Sequence, residues 1–204
     1  NGEGDKVLST NIVTKEKDHT LYAYWSKDVY TLSFDSCGGD ETDDIMVVYD
    51  DEYGTLPEVT RKYYIFDGWY TKKTGGKQVT EDTIVATADN HTLYAHWTRK
   101  TVDVAYYGEG GTVPESPITY ELGKKYEDNI PTRVGYTFTG WYTENGEKIT
   151  SETIVENEDG HGLYAAWTAN TYIITLDTNG GTSTNHTTSV TATYDSPMPN
   201  ITAP

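Results

Sequence analysis

Apolar and polar residues alternate along several short segments of the chain, and most of these segments end at a glycine or a proline. Tyr30, Leu32 and Phe34 are separated by single polar residues, which places the three large side chains on one face of a predicted strand. The same alternation returns at 172–176. Helical periodicity is confined to stretches such as 80–85, which are too short to form a stable helix.

Recurring sequence blocks define the organisation of the chain. The block Leu-Tyr-Ala-x-Trp occurs at 21–25, 93–97 and 163–167, with a period of about 70 residues. Phe-x-Gly-Trp-Tyr occurs at 66–70 and 138–142 with a similar period. The order of the blocks predicts a repeat that begins with an opening strand, turns at a Gly-Gly pair into a second strand, and ends with the two aromatic strands.

These blocks divide the chain into two complete and two partial repeats. Residues 26–98 and 99–168 each contain every block. Residues 1–25 contain only the C-terminal part of a repeat, and residues 169–204 only its N-terminal part. We therefore predict a mainly β (α+β) fold, built from tandem repeats with little helix.

Tryptophan and glycine recur at fixed positions of the repeat. Trp25, Trp97 and Trp167 share one position, and we expect them to pack in the core or between repeats, because a small domain needs large buried side chains. Gly68 and Gly140 lie between bulky aromatic residues. A glycine in the interior of a strand predicts that another backbone or ring comes close.

The charge and composition of the chain exclude several classes of function. The chain has 204 residues and a net charge of −17, which argues against nucleic acid and anionic membranes as partners. Its 18 tyrosines and 5 tryptophans argue against disorder. No apolar run approaches the length of a membrane span, so we expect no membrane insertion. The single Cys37 excludes an internal disulfide, and the absence of a signal-peptide pattern after Asn1 suggests a fragment or a processed product.

The paired motifs resemble the Listeria–Bacteroides repeat. Phe-x-Gly-Trp-Tyr followed by Leu-Tyr-Ala-x-Trp, after an opening strand and Gly-Gly, carries the resemblance, which covers essentially the whole chain. The resemblance implies a β-grasp-like fold of about 70 residues per repeat. It also implies a bacterial protein that is secreted or held at the cell surface in association with the cell wall. The family has no catalytic residues to transfer, and it names no ligand.

Exposed aromatic side chains are the candidate binding residues. Tyr70 and Tyr142 follow Trp69 and Trp141 in the repeated motif, and the two tyrosines are the first candidates for a platform on which sugar rings or a partner peptide stack. The alternative for the tryptophans is a role in packing, which the size of the repeat favours.

No catalytic, metal or cofactor site is expected from the polar residues. His19, His91 and His161 all lie two residues before the closing Leu-Tyr-Ala-x-Trp block, which suggests a structural role in one loop. They belong to different repeats, so they cannot converge on one metal ion. Runs of acidic residues do not recur between repeats, and we interpret them as a solvated face.

Three functions are compatible with this sequence. The favoured one is a non-catalytic stalk or spacer in an adhesin-like surface protein. The second is a module that binds a host glycan or protein through exposed tyrosine and tryptophan. The third is self-assembly, in which the partial repeats of neighbouring molecules complement each other; an arbitrary division of a longer array is the favoured explanation of those partial repeats. An enzyme is the least favoured class, because the recurring residues already have packing roles.

Overall fold

The computed structural model of the chain describes residues 6–181 and 187–201. The chain forms two compact units, one made of residues up to 62 together with 66–97, the other of 63–65 together with residues from 98 onward. Twelve strands and no helix occur among the described residues. The prediction of a mainly β fold made of tandem repeats is confirmed.

Ten of the strands form two five-stranded sheets of identical design. The first sheet contains β1 (Val29–Asp35), β2 (Ile45–Val48), β3 (Tyr64–Tyr70), β4 (Gln78–Val79) and β5 (His91–Arg99). The second sheet contains β6 (Thr101–Tyr107), β7 (Ile118–Glu121), β8 (Tyr136–Tyr142), β9 (Lys148–Ile149) and β10 (His161–Ala169). A separate two-stranded sheet contains β11 (Thr171–Thr175) and β12 (Ser189–Thr193).

The closing strand of each repeat lies in the middle of its sheet. The strand order is β2-β1-β5-β3-β4 in the first sheet and β7-β6-β10-β8-β9 in the second. The opening strand pairs in parallel with the closing strand, and Phe34 is opposite Leu93 just as Tyr106 is opposite Leu163. The residues that repeat in the sequence are therefore those that meet across the central pair of strands.

Each sheet buries one alternating set of side chains. In the first sheet Leu32, Val85 and Leu93 are fully buried around the indole of Trp69. In the second sheet Val104, Leu122, Val155 and Leu163 occupy the core beside Trp141. Burial of each such aliphatic side chain contributes about 1.5–3 kcal/mol, and closure of the sheet by the central strand makes that burial possible.

The Gly-Gly turn has the same backbone in all three copies. Gly38, Gly110 and Gly180 have φ values of +93°, +86° and +89°, and the residue before each also has a positive φ. At the first of these turns the backbone N–H of Cys37 donates to Asp35 at 2.9 Å. This bond is the main cause that lowers the pKa of the Asp35 carboxyl. The Lys73 ammonium lowers it further.

Residues 80–83 and 150–153 form hydrogen-bonded turns. The N–H of Thr83 donates to the Thr80 carbonyl at 3.0 Å, and the N–H of Thr153 donates to the Thr150 carbonyl at 2.9 Å. The hydroxyls of Thr83 and Thr153 also accept bonds from the N–H groups of Thr80 and Thr150. One turn satisfies the local polar groups, so no helix is needed.

The first copy of the closing block differs from the other two. Residues 6–28 form no strand, and the Trp25 side chain is 87% exposed. The expectation that Trp25 packs in the core or between repeats is therefore wrong for this copy. β5 and β10 each lie between an opening strand and a Phe-x-Gly-Trp-Tyr strand, whereas residues 21–25 pair with no strand among the described residues.

Candidate functional site

The tryptophans of the Phe-x-Gly-Trp-Tyr strands are structural anchors. The side chains of Trp69 and Trp141 are only 2% and 7% exposed. Each indole N–H donates to a carbonyl of the preceding loop, that of Pro57 at 2.7 Å and that of Asn129 at 2.8 Å. Aromatic rings from the same core cover the indoles; for example, the ring centroids of Phe34 and Trp69 are 4.6 Å apart. Such buried indoles offer no face to a ligand.

The tryptophans of the closing strands tie the Gly-Gly turn to the sheet. Trp97 is half-buried, and its indole N–H donates to the Ser36 carbonyl at 2.9 Å. A Cβ at Gly39 would lie 2.5 Å from Trp97 Cζ2. Trp167 repeats the arrangement against Gly111, and its N–H donates to the Gly108 carbonyl at 2.9 Å. The second glycine of each pair is thus required by the indole, whereas the first is required by its φ.

Gly68 and Gly140 combine a positive φ with a close neighbour. Their φ values are +120° and +146°. The neighbour is neither a backbone nor a ring, as the sequence suggested, but a long side chain of the adjacent short strand. A Cβ at Gly68 would lie 2.7 Å from Gln78 Nε2, and one at Gly140 would lie 2.6 Å from Lys148 Cε. Because a flexible side chain can move, the backbone conformation is the stronger constraint at both positions.

The two candidate platform tyrosines have different surroundings. Tyr70 is half-buried and stacks on His96, with ring centroids 3.8 Å apart and an interplanar angle of 6°. Tyr142 is also half-buried, and the Lys148 ammonium lies 5.9 Å from its ring centroid. The structure therefore brings Tyr142 near Lys148 and Tyr70 against His96, and the two tyrosines do not present one repeated surface.

A tyrosine–histidine pair recurs once in each complete repeat. Tyr53 Oη lies 2.7 Å from His91 Nε2, and His91 Nδ1 lies 2.9 Å from the Asp89 carbonyl. Because a carbonyl only accepts, Nδ1 carries the proton and the tyrosine hydroxyl donates to Nε2. Tyr126 and His161 form the same pair at 2.8 Å, and burial raises the pKa of both tyrosines.

Sequence reasoning identified the recurring histidine without its partner. The tyrosine was detectable, because Tyr53 and Tyr126 each precede the same turn of their repeat. The third copy, His19, lies in an exposed segment and keeps the equivalent Nδ1 contact, 3.1 Å from the Lys17 carbonyl. The pairs link the first residue of the closing strand to the segment that follows the second strand of the hairpin, which is a structural task.

Comparison with known proteins places the chain in a family. The sequence profile of the Listeria-Bacteroides repeat domain matches residues 30–96 and 103–166, well over half of the chain. The chain belongs to this family. The matched segments contain the strands of the two five-stranded sheets except for their ends, so each Listeria-Bacteroides repeat corresponds to one sheet of identical topology.

Curated relatives share the repeat over part of their own length. A protein described as a putative Gly-rich membrane protein from Evansella cellulosilytica is 30% identical over 79% of this chain. A putative membrane protein from the same organism is 30% identical over 77%. Internalin H of Listeria monocytogenes is 35% identical over 54%. The matches cover 19%, 25% and 20% of these relatives, so the chain spans about a fifth to a quarter of their length.

Two concave regions lie in the second of the Listeria-Bacteroides repeats. A small apolar cleft of about 260 Å³ lies beside Trp141 and Phe138. A wider groove of about 850 Å³ is lined by Glu144, Glu147 and Tyr164, among others. Within residues 6–181 and 187–201, no group of three or more His, Cys, Asp or Glu side chains could hold a metal ion. No helix in that part of the chain is long and apolar enough to cross a membrane.

Proposed function

We propose that this chain is a non-catalytic stalk segment of a bacterial surface protein and that it holds another domain away from the cell. The observation that carries the proposal is the use of the recurring residues. In the two complete repeats, the recurring tryptophans, glycines and Tyr–His pairs pack or hydrogen-bond inside their own repeat. The repetition therefore preserves a fold and not a reactive centre.

Surface association rests on the family and its relatives. Two relatives are described as putative membrane proteins, and a third is an internalin. The net charge of −17 suits a hydrated segment that repels its neighbours and resists aggregation. Secretion and attachment to the cell wall are part of this proposal.

The stalk role can be tested by surface display. An epitope is displayed on a Gram-positive cell behind one, two or three copies of residues 26–98, and antibody access is compared with Gly/Ser linkers of equal residue number. We expect access through the cell-wall layer to increase with each repeat. The linker should give less reach, because a flexible chain's extent grows only as the square root of its length. Equal reach for both series would refute the stalk.

A binding role for a host glycan or protein is the second candidate. The observation that favours it is the half-buried Tyr142 next to Lys148, in the repeat that also has the acidic groove of about 850 Å³. A glycan and matrix-protein panel is screened with the wild type and with Tyr142→Ala, and Tyr107→Ala serves as the matched surface control. Saturable binding lost only in Tyr142→Ala would support it; binding unaffected by that change would refute it.

A further inference from the structure

A single residue separates the closing strand of one repeat from the opening strand of the next. Asn170 lies between β10 and β11, and Lys100 lies between β5 and β6. Both junctions, with residues 63–65, belong to the second compact unit.

At the second junction the linking residue is bonded on both sides. The Asn170 N–H donates to the Gly135 carbonyl at 2.8 Å, and the Asn170 carbonyl accepts from the Tyr194 N–H at 2.9 Å. Gly135 directly precedes β8, whereas Tyr194 directly follows β12. Thr137 Oγ1 also donates to Asn170 Oδ1 at 2.6 Å. The loop before β8 and the following hairpin are therefore joined through the linker.

The first junction uses the same backbone bonds. The Lys100 N–H donates to the Tyr63 carbonyl at 2.9 Å, and the Lys100 carbonyl accepts from the Leu122 N–H at 3.0 Å. Tyr63 precedes β3 and Leu122 follows β7, so each residue has an equivalent at the second junction. These equivalences follow from hydrogen bonds alone and do not depend on a sequence alignment.

The side chains at the two junctions are reciprocal. At the first junction the Tyr63 ring lies over Gly123, where a Cβ would be 2.6 Å from Tyr63 Cδ2. At the second the glycine is on the other side, and a Cβ at Gly135 would overlap the Tyr194 ring. Tyr63 keeps the positive φ of its position, +69°, although it is not glycine. Both junctions therefore contain one tyrosine ring on one glycine: the tyrosine precedes β3 at the first junction and follows β12 at the second. Gly123 lies one residue beyond Leu122, the equivalent of Tyr194.

We infer that the loop before β8 is a docking surface for the opening hairpin of the repeat that follows, and that the tyrosine–glycine pair selects which hairpin fits. A tyrosine on both sides would place two rings in the same space, and a glycine on both sides would leave a void. Repeats in such an array are therefore not freely interchangeable. Tyr49 follows β2, has the position of Tyr194 and is 39% exposed, so the rule assigns it a neighbour with glycine at the position of Gly135.

Among the described residues, few other contacts hold the docked hairpin. A two-stranded hairpin is marginally stable in water, and Ile173 in β11 is 77% exposed. The Tyr136 ring packs edge-on to Tyr194 at 5.6 Å, and its hydroxyl donates to Asp195 at 3.2 Å. Tyr136 directly follows Gly135, so a change at Gly135 should disturb these contacts as well and release the hairpin.

The experiment measures amide exchange of Asn170 and Tyr194 by NMR on the full chain. Gly135→Ala should speed both amides by about tenfold or more, because the new methyl group displaces the ring. Gly146→Ala is the matched control, since Gly146 has a φ of +83° with no atom within 4 Å of a Cβ, against +76° at Gly135. Unchanged exchange in Gly135→Ala, or an equal change in Gly146→Ala, would overturn the inference.

A second variant tests selection itself. The triple change Gly135→Tyr, Tyr194→Leu and Asp195→Gly converts the second junction to the side-chain set of the first. Protection of the Asn170 amide should return to within about threefold of wild type, whereas Gly135→Tyr alone should lose it. Loss of protection in both variants while β6–β10 remains folded would show that the pairing does not select the neighbour.

Discussion

The hairpins β6–β7 and β11–β12 are the same element in two states of completion. Their backbones pair alike, with Thr101 opposite Glu121 and Thr171 opposite Thr193. In β6, Val104 is fully buried. In the other hairpin the corresponding Ile174 is only half-buried.

The difference between them is the closing strand. β6 lies between β7 and β10, whereas β11 pairs only with β12 among the described residues. The alternation of apolar residues decides which face of a hairpin can be buried, and the closing strand decides whether it is buried. A local pattern thus depends on a partner about 60 residues further along the chain, which is typical of β topologies with distant contacts.

Removing the central contact of the closing strand should have the largest effect. Leu163 is fully buried opposite Tyr106, so Leu163→Ala should destabilise the second repeat by about 2–5 kcal/mol. Ile174→Ala is the matched change in the incomplete hairpin and should cost about 1 kcal/mol or less. Urea titration, followed by hydrogen exchange of peptides from β6–β10 and from β11–β12, measures both. Similar losses for the two variants would contradict the role given to the closing strand.

A rise in pH should have the second largest effect, a loss of stability of the second complete repeat. Burial, and then the hydrogen bond with Tyr120, raise the pKa of Tyr106, and burial also raises that of Tyr126. Since the folded pKa lies above the unfolded value of about 10, the neutral phenols stabilise the fold below that pH. The stability is lost as pH rises above it, by about 1.4 kcal/mol per pH unit for each tyrosine.

The other repeat supplies a control for the pH effect. Phe34 in the first sheet has the position of Tyr106 in the second, so Tyr106→Phe is compatible with the fold. This variant should show a shallower loss of stability between about pH 10 and 12, whereas Tyr107→Phe, at an exposed position, should not change it. Denaturation midpoints measured across this range provide the test, and an unchanged slope in Tyr106→Phe would count against burial as the cause.

A smaller effect is expected at the Gly-Gly turn. A Cβ at Gly111 would overlap the indole of Trp167 and lie 2.9 Å from the Thr132 carbonyl. Gly111→Ala should therefore cost about 1–3 kcal/mol by overpacking. Gly181→Ala at the exposed equivalent position of the third turn should change stability by no more than about 0.5 kcal/mol. The thermal unfolding midpoints of the two variants provide the comparison. Equal shifts of the midpoint would show that the Trp167 indole is not the reason for glycine at position 111.

The smallest effect concerns the tyrosine–histidine pair. Tyr126→Phe removes the bond to His161 Nε2 and should cost about 0.5–1.5 kcal/mol. Tyr172→Phe, in the incomplete hairpin, should be close to neutral, because that side chain is 49% exposed. Urea midpoints at neutral pH measure both changes, and a neutral Tyr126→Phe would mean that the pair contributes nothing to the fold.

The sequence was sufficient for the repeat and for the faces of its strands. Period and alternation identified the strands around Phe34, Trp69 and Leu93, because each repeated residue packs within its own sheet. The central position of the closing strand was not predictable, since parallel pairing of β1 with β5 depends on contacts across the whole repeat. The exposed Trp25 shows the same limit. Its motif is complete, but residues 21–25 pair with no strand among the described residues.

The recurring residues revealed less about the candidate site. Motif spacing singled out Trp69 and Tyr70 as neighbours, but adjacent residues of a strand face opposite sides, and the tryptophan points into the core. The contacts of Tyr70 and Tyr142 come from His96 and Lys148. Those contact positions differ between the repeats, so a repeated motif could not predict them.

The Leu-Tyr-Ala-x-Trp strand completes the repeat, because it pairs with the opening hairpin and closes the five-stranded sheet. The most direct test is native-state hydrogen exchange on this chain, comparing paired amides of β6–β7 with those of β11–β12. Because the hydrogen-bond registers correspond, the difference reports the closing strand. We predict that β6–β7 amides exchange only on unfolding of the whole repeat, and β11–β12 amides at least about a hundredfold faster. Equal protection in the two hairpins would contradict the account.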